Sequence, residues 1–79
     1  MKAFLEYLNK LPEAERESIC ALIGTTYGYV RKATSAKQTP EPLRCVEIER
    51  ATDGAVTRRD LRPDDWERIW PELADRAAA

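Results

Sequence analysis

Phe4, Leu8 and Leu11 recur at i, i+4 and i+7, with Leu5 beside them, and this spacing predicts a first amphipathic helix over about residues 2–10. Pro12 closes it. Proline fits the first turn of a following helix, and Glu13, Glu15 and Glu17 place negative charge near the positive end of its dipole. A second helix is therefore expected to reach about Leu22 or Ile23. Gly24 suits the left-handed position that ends a helix, and the Thr26 hydroxyl can cap the next one. The third helix then spans Tyr27 to about Thr34, before a polar loop that contains Pro40. Pro42 opens a fourth, carrying Leu43, Val46, Ile48 and Ala51 and stopped by Asp53-Gly54. Thr57 and Asp60 resemble a capping box at the head of a short fifth helix. Pro63 interrupts that helix, and Trp66, Ile69, Trp70 and Leu73 form a stripe at i, i+3, i+4 and i+7, bent or restarted at Pro71. The pattern describes an all-α, compact five-helix domain over residues 1–76, with a disordered tail at 77–79.

The second and third helices carry a more particular signal. Ile19, Cys20 and Ile23 precede Gly24 by five, four and one residues, and Val30 and Ala33 follow it by six and nine. This is the pattern of a helix-turn-helix, here over about residues 13–35. The helices cross near Cys20, where only a small side chain fits, and the apolar residues fill the wedge between them. The tight turn needs the backbone freedom of glycine.

With Val30 and Ala33 turned inward, the third helix presents Thr26, Tyr27, Gly28, Arg31, Lys32 and Ser35 outward. Its N-terminal residues Tyr27 and Gly28 would reach base edges, with Lys32 one turn later, and lysine or arginine can read guanine. Arg31 could read a base or clamp a phosphate. Gly28 costs up to about 1 kcal/mol of helix propensity, which a close backbone approach to DNA would offset. Lys37, Gln38 and Thr39 in the following loop suit phosphate contacts, as does Arg16 near the start of the second helix.

Composition sharpens this in one respect only. Thirteen basic and fourteen acidic side chains nearly cancel over the 79 residues, so overall charge points to no class of partner. Their distribution does: between Glu17 and Glu41 there is no acidic residue, while Arg31, Lys32 and Lys37 fall there. Anions would be drawn to that segment. The absence of histidine removes the commonest general base and metal ligand together. No catalytic residue, metal or cofactor is expected. Adjacent Asp64 and Asp65 are explained as capping and dipole partners. Cys20 and Cys45 lie among apolar residues and read as buried free thiols. No run approaches the roughly 20 apolar residues of a membrane span, so no membrane association is expected and a cytoplasmic protein is the default.

Gly24-Thr25-Thr26-Tyr27-Gly28-Tyr29-Val30, and the longer block from Ile48 through Asp53-Gly54-Ala55-Val56-Thr57 to Trp66, continued by Ile69-Trp70-Pro71-Glu72-Leu73, resemble the YdaS-like, Cro-type family of prophage regulators. The likeness spans nearly the whole chain. It implies a lambda-repressor-like helical domain acting as a phage or prophage repressor; the family also carries an antitoxin label. The chain departs from the usual pattern at Ala36, where glycine is common, and at Glu41, where a serine-like cap is common.

The expected function is a sequence-specific DNA-binding regulator that binds a palindromic double-stranded operator as a homodimer. The alternative is an antitoxin or anti-repressor module working mainly through protein binding, with Trp66 and Trp70 as its contact surface. The same tryptophan stripe can instead close the core or form the dimer interface.

Overall fold

The computed structural model describes residues 1–78, with side chains through Ala74. Its described residues form seven helices: α1 (Lys2–Asn9), α2 (Glu13–Leu22), α3 (Tyr27–Ser35), α4 (Pro42–Ala51), α5 (Arg58–Leu61), α6 (Trp66–Ile69) and α7 (Pro71–Ala78). The tail expected over 77–79 lies outside the residues whose side chains are described. No helix among the described residues is long and apolar enough to cross a membrane.

Five helices were expected where seven are found, and the difference lies after α4. Arg62 (φ −132°) and Trp70 (φ −127°) both leave the helical region. Each precedes a proline, whose ring clashes with a helical backbone at the preceding residue. That local clash outweighs the continuous apolar stripe, so the C-terminal segment becomes three short helices. α5 begins with a full capping box, in which Thr57 Oγ1 accepts from the Asp60 amide and Asp60 accepts from the Thr57 amide; aspartate serves where glutamate is usual.

The core is continuous. Phe4 and Leu8 from α1, Cys20 and Ile23 around the end of α2, and Val30 from α3 meet Cys45, Ile48, Val56, Leu61, Trp66 and Trp70. α1 packs on α3 and α5, α2 on α3, α4 on α5, and α6 on α7. On α4 the buried positions are Cys45, Ile48 and, just past the helix, Thr52, whereas Leu43 is 71% exposed. Thr52 tolerates burial because its hydroxyl donates to the Ile48 carbonyl (2.8 Å) and accepts from the Val56 amide (3.1 Å). Both cysteines are buried free thiols, and burial raises their pKa values, which keeps them protonated and unreactive.

Three helices end in the same way. After α2, the Thr25 and Gly24 amides donate to the Cys20 and Ala21 carbonyls. After α3, Gln38 and Lys37 do so to Ala33 and Thr34; after α4, Gly54 and Asp53 do so to Glu49 and Arg50. Each is a Schellman ending, with a left-handed residue at Gly24 (φ 70°), Lys37 (φ 57°) and Asp53 (φ 51°). The left-handed residue after α3 is thus Lys37, while Ala36, one step earlier, keeps φ −81°.

Candidate nucleic-acid interface

Only residues 23–26 separate α2 from α3. Gly24 turns the chain, and a Cβ there would meet nothing, so its glycine serves the backbone angle alone. Arg44 of α4 donates to the Ile23 carbonyl and holds this turn from the far side. Thr26 caps α3 by accepting from the Tyr29 amide at 3.1 Å.

Val30 and Ala33 are buried, and Thr26, Gly28, Arg31, Lys32 and Ser35 are exposed. Tyr27 differs from its expected outward position. It is half-buried, its hydroxyl donates to Asn9 Oδ1 of α1, and the Arg16 guanidinium lies 4.0 Å from its ring centroid. Tyr27 stands three residues before Val30, a spacing that sets it on the border of the buried stripe. The tyrosine that emerges is Tyr29, 50% exposed, which outward-face reasoning passed over. Which border is covered depends on where α1 packs, and no local pattern in α3 encodes that.

Arg16 therefore belongs with the site. Its guanidinium is stacked beside α3, Arg31 approaches the same ring at 5.8 Å, and Arg16 Nε is buried without a hydrogen-bond partner. Among the described residues no carboxylate pairs with Arg16, Arg31, Lys32 or Lys37. Arg16 and Arg31 thus gather around Tyr27, and these four cations are left without an ion pair among the described residues. Gly28 adds room: it has an ordinary helical backbone, and an added Cβ would meet only Thr26 Oγ1, at 4.0 Å. Nothing inside the chain requires glycine there.

The loop after α3 is held at two carbonyls. The Met1 amine donates to Gln38 (3.3 Å), and Arg62 Nη1 donates to Pro40 (2.6 Å). Lys37, Gln38 and Thr39 are consequently fixed at backbone level with their side chains exposed. Arg62 was not legible as a supporting residue, because it acts on a loop 22 residues away.

Trp66 and Trp70 do not form a contact surface. Each is 8% exposed, and the Arg59 and Arg58 guanidinium groups lie over their rings at 5.0 and 5.3 Å. Both indoles belong to the core cluster, Trp66 at the head of α6 and Trp70 directly after it. The protein-partner and dimer surfaces expected at these tryptophans are thereby removed.

The family described as "Bacterial toxin YdaS" matches residues 17–69, from α2 to the end of α6. A "Prophage transcriptional regulatory protein" of Escherichia coli (strain K12) is 33% identical over 64 residues, which is 81% of this chain and 92% of that protein. The family match contains the turn at Gly24, the whole of α3 and Trp66, and the chain belongs to the YdaS family.

Proposed function

We propose that this chain is a sequence-specific DNA-binding transcriptional regulator, a Cro-type prophage repressor of lambda-repressor-like fold that binds a palindromic operator as a homodimer. In this reading α2, the Gly24 turn and α3 form the helix-turn-helix, and α3 enters the major groove. The observation that carries it is the set of unpaired cations on the exposed, acid-free surface of α3 and its following loop. A protein that left these charges uncompensated would gain from phosphates, whose counterions are released on binding. The relative's name, a transcriptional regulatory protein, supports the same reading.

Arg31 and Lys32 would face base edges, guanine above all. Lys37, Gln38, Thr39 and Arg16 would grip the two flanking phosphate backbones, and Gly28 would let the head of α3 sit close against DNA. Repression would follow from occupancy of a promoter. One such helix reads too few base pairs to find a site among the millions of competitors in a genome, so two copies are required.

Selection of bound duplexes from random DNA tests this. The expected product is two inverted half-sites with centres about 10 base pairs apart. Insertion of half a helical turn (about five base pairs) between them should abolish cooperative binding. Selection that enriches no sequence would refute the proposal.

A further inference from the structure

Outside α3, two large apolar side chains are exposed: Leu22 at 73% and Leu43 at 71%. They lie on neighbouring elements, because Arg44 of α4 donates to the Ile23 carbonyl at the end of α2. A shallow notch of about 220 Å³ between these elements is lined by Leu22, Ile23, Glu47, Arg50 and Ala51. Leu43, Glu47 and Arg50 follow at i, i+4 and i+7 and share one face of α4. Glu47 and Arg50 are close enough on that face to pair, yet among the described residues neither has an ion-pair partner.

We infer that this face docks a second copy of the chain, with the two α4 helices antiparallel and crossing between Glu47 and Arg50. In an isologous interface residue i meets j while j meets i. A two-fold axis at that point sets each Glu47 against Arg50 of the other copy, so one geometry satisfies four unpaired charges. Leu22 flanks the crossing on both sides. Leu43 reaches the Asp53-Gly54 turn of the other copy, where the space beyond Gly54 is open. An acidic or a basic partner would satisfy only one of the two charges and repel the other; a surface with one of each between exposed leucines is its own complement. The inference deepens the dimeric reading above and rests on it, by naming the surface through which two copies of α3 would be joined.

Charge exchange tests it in the full chain, by sedimentation equilibrium of the free protein and of its complex with a duplex carrying two half-sites. E47R and R50E alone should each weaken the dimer about tenfold or more, since each puts like charges face to face twice. The double exchange E47R/R50E should restore it to within about threefold, a rescue that mere misfolding would not give. L22E/L43E should be monomeric while binding a single half-site with unchanged affinity. Dimer strength unaltered by the single reversals, failure of the folded double exchange to restore it, or a wild-type protein monomeric both free and on DNA would overturn the inference. Rescue by the double exchange in a protein that binds no half-site would uphold the interface and refute the DNA-binding reading alone.

Discussion

Arg58 and Arg62, beyond α4, each hold a carboxylate, Glu49 at 3.0 Å and Asp65 at 2.8 Å, whereas Arg31, Lys32 and Lys37, on α3 and its loop, hold none. The paired arginines are four-fifths buried and lie among groups that already use their donors: Arg58 is bound through both its amide and its Nε to Glu49 Oε2 and covers Trp70, and Arg62 clamps Pro40. Their charge is spent on holding short helices together. The α3 cations point to solvent, and their charge is available to a ligand. Side chains of the same type thus stand in opposite states in the two regions, and what separates them is whether the fold supplies the anion.

This contrast can be broken first at the tryptophans. Trp66→Ala should cost about 3–5 kcal/mol by leaving a cavity under α5, a large part of a small domain's total stability. Urea unfolding would measure it, and a loss below about 1 kcal/mol would show that the indole is not core.

The Arg62–Asp65 pair should register in the pH dependence. Its hydrogen bonds from Arg62 hold the Asp65 carboxyl below the usual range. A depressed carboxylate pKa contributes stability that is complete above its unfolded value, about 3.9, and is lost as pH falls through the lower folded value. Urea midpoints followed from neutral pH into that acid range should fall less steeply in Asp65→Asn than in the parent chain. Parallel curves would dismiss the pair as a brace.

Lys37 sharpens the comparison from the other side, with a smaller effect. A left-handed backbone at a residue other than glycine costs about 1 kcal/mol, so Lys37→Gly should stabilise the protein by up to that amount. It should at the same time weaken DNA binding and make its salt dependence shallower by about one counterion. A variant that gained stability and kept its full salt slope would remove Lys37 from the interface.

The helices up to α4 could be read from the chain because their limits are local. Pro12, Gly24, Thr26 and Pro42 act on the residues next to them, and the structure places α2, α3 and α4 within a residue or so of the predicted limits. The exposure of Arg31 and Lys32 follows equally locally, from Val30 and Ala33 facing inward. What escaped the sequence is set by distant partners: Tyr27 is half-buried because Asn9 and Arg16 happen to face it, and Leu43 is exposed because Cys45 takes the core position on α4. The tryptophan stripe allowed two readings for the same reason. Its periodicity says that one face is apolar, and only the rest of the fold says what covers it.

The most direct test of the central claim replaces cations in the two regions in parallel and reads affinity and stability together. Arg31→Ala/Lys32→Ala should lower affinity for the selected operator by about 100-fold or more, at about 1–3 kcal/mol for each base contact, and leave the urea midpoint almost unchanged. Arg58→Ala should do the reverse, costing about 1–3 kcal/mol of stability through the orphaned Glu49 while the folded protein keeps its affinity. Operator affinity retained by the Arg31→Ala/Lys32→Ala protein would contradict the account.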